Sequence, residues 1–173
     1  MPSGLVYADV PNRIFAIIID AIVIVLIMIV VGIVLAAIGL AASTVTGGAT
    51  GSFIGSIVLA AVSLAIGAGY FIYTWTAMRG TVGMRALGMQ IGNAGDGATL
   101  TMDQAIRRYL ALAAPGIVAN ALSGVAVIGI LLGLASFAWI IFLLYTTAQS
   151  PTKQGWHDVF AHSMVVKSAR AVA

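Results

Sequence analysis

The segment 11-PNRIFAIIIDAIVIVLIMIVVGIV-34 decides how the chain is read. Between its ends it is almost entirely isoleucine, valine, leucine and small residues. About 20 such residues, rising 1.5 Å each, cross the roughly 30 Å hydrocarbon core of a bilayer. Two residues break the pattern: Arg13 at the mouth, and Asp20 seven positions further in. A basic residue at a helix end can snorkel to the headgroups at little cost. Asp20 cannot, and an ionised carboxylate near the centre of a span costs about 2.5–3.5 kcal/mol on insertion scales. A helix this apolar still inserts, so Asp20 is expected to face a partner, a cavity or a proton rather than lipid.

The rest of the chain has the same character. Of its 173 residues, 61% are apolar and 8% charged, with a mean hydropathy of +1.11; ordinary globular proteins are roughly 25% charged. Long tracts at 21–78 and 109–152 hold no charge at all. The chain therefore reads as an integral membrane protein of one domain, 1–173. The opening MPSGLVYADVP has no basic n-region and carries Asp9, so the first apolar run reads as a retained helix.

Four spans are predicted, at about 13–41, 53–78, 102–122 and 126–147. The small-residue stretch at 42–52 reads as a loop. Tyr70, Tyr73 and Trp75 suit an interfacial belt at the end of the second span. Thr101 and Gln104 have capping-box spacing at the start of the third, with Asp103 favouring the positive end of its dipole. Pro115 is expected to kink that helix, and Ser123-Gly124 to turn the chain into the fourth. This arrangement places Arg13, Arg79, Arg85, Arg107, Arg108, Lys153, Lys167 and Arg170 on one side. The positive-inside rule makes that side cytoplasmic, with both termini inside. The predicted fold is thus an all-α membrane protein, a four-transmembrane-helix bundle in the cell membrane. It carries a small cytoplasmic β-hairpin at 79–101, between the second and third helices, and a cytoplasmic tail at 149–173. Within the hairpin the strand is Leu87–Ile91 and the turn is built on Asn93, Gly95, Asp96 and Gly97. A second strand, Met164–Lys167, can pair with the first.

Little here points to catalysis. There is no cysteine, no glutamate, no phosphate-binding glycine loop and no nucleophile elbow. No enzymatic activity and no cofactor are expected. The net charge of +3 follows from topology and does not imply nucleic acid. His157, Asp158 and His162 include an i,i+4 pair, but two ligands do not make a metal site. The spacings Gly51–Gly55 and Gly129–Gly133 fit close helix packing, though such matches arise by chance among 20 glycines. Trp156 reads as an interface anchor. Arg13 and Asp20 share a face with a rise of roughly 10 Å, too far apart for a direct ion pair. Two readings of Asp20 stay open: a polar clamp hydrogen-bonded to a neighbouring helix, or an ion, proton or substrate site.

Three blocks taken together, NRIFAIIIDAIV, TVGMRALGMQIGNAGDGATLTMDQAIRRYL and KQGWHDVFAHSMVV, resemble the RDD family of small bacterial membrane proteins. The family is named for one arginine and two aspartates, which Arg13, Asp20 and Asp158 match. The tail has Trp156 where members often have leucine before His-Asp. The resemblance covers roughly 8–167 and implies transport of unidentified ligands, with sodium/proton antiport proposed for some members. The expected function is a small membrane transporter of an ion or small solute, with cation/proton exchange at Asp20 as one form. Arg13 would tune Asp20, while Asp158 and His157 guard the cytoplasmic entrance. A chain this short is expected to work in the bilayer as a homodimer or larger assembly. The alternative is a non-transporting scaffold or complex subunit whose Arg13, Asp20 and Asp158 form a structural network.

Overall fold

In the computed structural model, which describes residues 5–37, 48–122 and 126–168, the first apolar run is helical from Val10 to Ala37 (α1). A second long helix, α2, spans Gly48–Ala77, and two more, α4 and α5, span Met102–Ala121 and Ala126–Gln149. Between α2 and α4 lie a short helix α3 (Val82–Ala86) and a strand β2 (Met89–Asn93). A strand β1 (Leu5–Tyr7) precedes α1; a short helix α6 (Trp156–Phe160) and a strand β3 (Ser163–Ser168) follow α5. Predicted features at 38–41, at Ser123-Gly124, at Arg170 and over most of the 42–52 loop lie outside the described residues. The described part of that loop differs from expectation, because α2 is already helical at Gly48. Small residues that favour loops in water are held helical in an apolar setting, where no solvent competes for the backbone groups.

Among the described residues, three stretches are long and apolar enough to cross a membrane: Val10–Leu35, Ala60–Ala77 and Val127–Gln149. Their large side chains point outward; Ile22, Ile29, Ile33, Leu131 and Phe137 are each more than half exposed, as lipid-facing residues would be. Helix α4 is not among the three, since it carries Asp103, Arg107, Arg108 and Pro115.

The strands correct the predicted hairpin. No strand returns within 79–101; β2 pairs antiparallel with β3 of the tail, in register Ile91↔Val165 and Asn93↔Ser163. β3 pairs on its other edge with β1, Val6↔Lys167, giving a three-stranded sheet of order β1-β3-β2. The tail strand thus supplies the partner that an isolated hairpin lacks. Met89, Ile91 and Val165 are fully buried with Leu100 and Ala105 of the adjoining loop and α4. One consequence is topological. The three strands come from before α1, after α2 and after α5, so each pair of long helices leaves the sheet and returns to it.

Helix α4 runs through Pro115 without a break. A proline has no N–H for the carbonyl four residues back, here that of Ala111. The Nε1–H of Trp139 on α5 donates to that Ala111 carbonyl at 2.9 Å. An unpaired carbonyl is costly away from water, so the proline and the tryptophan compensate one another and tie α4 to α5. The capping box at the start of α4 is as predicted: Gln104 N–H donates to Thr101 Oγ1 at 3.3 Å, and Thr101 N–H to Gln104 Oε1 at 3.0 Å.

Replacing Trp139→Phe is expected to cost about 1–2 kcal/mol by orphaning the Ala111 carbonyl. Adding Pro115→Ala, which restores the backbone donor, should recover most of that loss. Thermal unfolding of the purified protein and both variants in detergent reads the effect.

Candidate functional site

Helix α6 is five residues long, and its third residue, Asp158, is completely buried. The carboxylate reaches back to accept from the Gly155 N–H at 3.2 Å, which caps the helix. It also receives two arginines. Arg13 Nη1 of α1 donates to Oδ2 at 2.6 Å, and Arg108 Nη1 of α4 pairs with Oδ1. Both guanidiniums are themselves buried and have further partners. Arg13 donates from Nη2 to the Lys153 carbonyl at 2.6 Å and from Nε to the Ala8 carbonyl at 3.2 Å. Arg108 donates to Ser163 Oγ at 2.6 Å and lies over the Trp75 ring, 5.2 Å from its centre. One carboxylate therefore joins α1, α4, the tail and the sheet.

Burial alone would raise the Asp158 carboxyl, but Arg108, then His157 and Arg13, outweigh it and hold the group well below the usual carboxylate range. His157, beside it, is pushed down to about 4, chiefly by burial, with Arg108 and Arg13 adding to the effect and Asp158 opposing it. Its Nε2 is 3.6 Å from Asp158 Oδ1, and its Nδ1 has no partner. His162 is exposed in the turn after α6, not on the helix with Asp158. Among the described residues, no three potential ligands gather around a metal.

Asp20 belongs to a separate cluster. Tyr70 OH donates to its Oδ1 at 2.7 Å, Gly83 N–H to the same oxygen at 2.8 Å, and Thr81 Oγ1 to Oδ2 at 2.5 Å. Thr81 is also the N-cap of α3, accepting from Met84 N–H at 3.2 Å, while Tyr70 OH accepts from Val82 N–H at 3.2 Å. Asp20 thus clamps α1 to the end of α2 and the start of α3. The approach is close: a Cβ on Gly83 would overlap the Ala16 carbonyl, so only glycine fits there.

Between these clusters lies a cavity of about 320 Å³. Arg13, Asp20, Arg108 and His157 are on its wall, with Phe71, Trp75, Tyr109, Leu112, Ala113 and Leu143 among the apolar residues. Most of its lining residues come from the sheet, the two short helices and the ends of the long helices nearest the sheet, while Leu112 and Ala113 reach the middle of α4. Three of its wall residues hold buried polar atoms without partners, Trp75 Nε1, Arg108 Nε and His157 Nδ1.

Of the residues singled out from sequence, Arg13, Asp158 and His157 come together, and Asp20 lines the same cavity from its other cluster. Arg13 and Asp20 do not pair, as their spacing required. Sequence reasoning missed Arg108, Tyr70, Thr81 and Gly83. For Arg108 a signal existed: Arg107 has Asp103 one turn back, forming an exposed pair at 2.9 Å, whereas Arg108 shares the face of Ala105, Tyr109 and Leu112.

Fold and site together define a membrane-helix protein whose polar core is organised by one arginine and two aspartates, with a second arginine joining in. The family model for the RDD family matches residues 7–162. The chain belongs to the RDD family, whose members are membrane proteins. No curated protein and no solved structure matches it significantly.

Two outcomes follow. Asp20→Ala should destabilise by about 1–3 kcal/mol, because three donors lose their acceptor. Asp20→Asn, which keeps one acceptor oxygen, should lose less; thermal unfolding in detergent ranks them. The pH dependence has a definite sign. His157 stays neutral in the folded protein down to about 4 but is protonated near 6.5 when unfolded. Its contribution is complete above about 6.5 and falls away toward about 4, on the order of 3 kcal/mol in total. Unfolding temperature should therefore drop from pH 7 to pH 5, and His157→Gln should flatten that slope.

Proposed function

We propose that this protein is a small-solute transporter of the cell membrane, with the cavity beside the sheet as its binding site. The cavity is the observation that carries the reading. It is lined by all four long helices and the sheet, has an apolar wall, and holds a few buried polar groups, which is how small-molecule sites are built. Four spans and cytoplasmic termini fit best with the way both helix pairs return to one sheet: if α5 crosses the bilayer, α4 crosses it back. The sheet end then carries the basic residues and faces the cytoplasm.

In this reading Arg13, Asp20 and Asp158 shape the site and are not themselves the cargo-exchanging groups. Asp20 has three protein donors on its two oxygens, which favours a clamp over cation/proton exchange. A solute enters from the cytoplasmic end, where most of the lining residues lie. The other half of the path needs a second conformation or a second copy of the chain, so we propose a homodimer as the working unit. The scaffold reading shares the structural network and parts from this one over the cavity, which it leaves without a task.

Proteoliposomes test the two. Uptake would be followed for a panel of small carboxylates, amines and neutral solutes, alongside internal pH under imposed sodium and potassium gradients. The expected result is saturable uptake of at least one solute, lost in Ala113→Phe, which fills the cavity. Proton flux that depends on sodium and vanishes in a folded Asp20→Asn protein would restore the exchange mechanism instead. No uptake and no flux would leave the scaffold reading.

A further inference from the structure

The polar residues around the cavity spend their polar atoms inside the protein. Asp20 and Thr81 are bonded to each other and to α2 and α3, and Arg13 and Arg108 to Asp158. The Tyr109 hydroxyl donates to the Leu64 carbonyl, and that of Thr147 to Leu143, one turn back on its own helix. The wall's three unpartnered polar atoms, Trp75 Nε1, Arg108 Nε and His157 Nδ1, are sealed even from a water-sized probe. What faces the space is almost wholly apolar, with Phe71, Met84, Leu112, Ala113, Leu143 and Val165 supplying much of it.

Helix geometry shows which side of this space is open. Arg13, Ala16, Ile17 and Asp20 form the face of α1 toward the cavity. Ala16 lies on the flank that meets Gly83 of α3, and Asp20 closes the seam to α2 through Tyr70. Ile17 lies on the opposite flank. On α5, Trp139 turns to α4 through its bond to Ala111, with Leu143 one turn on along the same side. Ile140 and Leu144 are then left toward α1. Ile17 and Ile140 both line the cavity, yet they are 58% and 53% exposed. Among the described residues the long-range polar contacts of α1 run to the tail, α2 and α3, and none crosses to α5.

The seam lies at hydrocarbon depth. Ile17 is seven residues into α1 and Ile140 nine residues before the end of α5, roughly 10 Å and 14 Å from the sheet end of each helix. A headgroup layer is only about 5–8 Å thick. Both residues also fall inside stretches long and apolar enough to span. Water is a poor occupant here, since a buried water needs two to four polar partners. An empty space would forfeit the dispersion contacts of its whole wall.

We propose that an acyl chain of a bilayer lipid enters through the seam between Ile17 and Ile140 and occupies the cavity. At roughly 30 Å³ for each water-sized group, 320 Å³ holds about ten chain carbons. The end of the chain therefore sits inside, while the rest lies along the groove between α1 and α5 and the headgroup stays in the leaflet on the sheet side. This goes beyond the solute reading and does not depend on it; a solute that used the cavity would displace the chain.

The test is photo-crosslinking of the full chain in nanodiscs of phosphatidylcholine with a diazirine at the end of one acyl chain, adducts being mapped by mass spectrometry. Trp75 is 2% and Met84 8% exposed, so lipid outside the protein does not reach them. The expected result is adducts on Trp75, Met84 or Leu112, beside those on outward residues such as Ile29 and Leu131. Ala113→Phe fills the cavity, and Ile17→Trp with Ile140→Trp narrows the seam at exposed positions. Each should remove the interior adducts and leave the outward ones unchanged, with unfolding temperature confirming that the variants fold. Outward adducts alone in the folded wild type, or interior adducts that either variant leaves in place, would overturn the proposal.

Discussion

The structure depends on one buried carboxylate holding two buried arginines. Asp158 has no exposure, and Arg13 and Arg108 have almost none. Charges taken out of water carry a desolvation penalty of several kcal/mol each, which only close pairing and saturated hydrogen bonding offset. That condition accounts for much of the cytoplasm-facing architecture proposed here. Helix α6 is only five residues long, yet it must place Asp158 between α1 and α4. The Lys153 backbone takes a left-handed conformation, φ 51, beside the carbonyl that accepts from Arg13. β3 follows at once, and its first residue, Ser163, completes the shell around Arg108. The ion pairs are better understood as fixing which segments meet than as a source of net stability, because an apolar core of the same shape would be no less stable.

Asp20 makes a second tie at the same end of the bundle, by a different means. It uses no cation at all. A hydroxyl from α2, a hydroxyl from the cap of α3 and a backbone N–H converge on it, and Gly83 lets the two backbones approach closely enough. The two ties leave a gap between them, and the cavity is that gap.

Much of the fold was legible in the sequence. Hydropathy located the long helices, because apolar runs of that length have few other uses, and the capping box placed the start of α4 at Thr101–Gln104. The strands at 87–91 and 164–167 were found to within two residues or so, from their apolar character and the turn at Asn93–Gly97. What escaped was long-range. Arg13 and Asp158 are 145 positions apart and Asp20 and Thr81 are 61 apart, and no local pattern records such a pairing. The pairing of 87–91 with the tail strand 164–167 was open from the sequence and is β2 with β3; the return expected within 79–101 is absent, and the strand on the other edge of β3, β1, was not foreseen. The identity of Arg, Asp and Asp as the organising residues came from the family resemblance. Their division into two clusters did not, and neither did the fourth participant, Arg108.

The most direct test of the central claim is a double-mutant cycle on unfolding free energy, with Arg13→Gln, Asp158→Asn and the two combined. If the buried pair joins α1 to the tail, Asp158→Asn strands both arginines, and removing Arg13 as well relieves one of them. The combined loss should then fall short of the sum by about 1–2 kcal/mol or more. Additive losses, within about 0.5 kcal/mol, would mean that the two side chains are not coupled, and the account of how this end of the bundle is held together would be wrong.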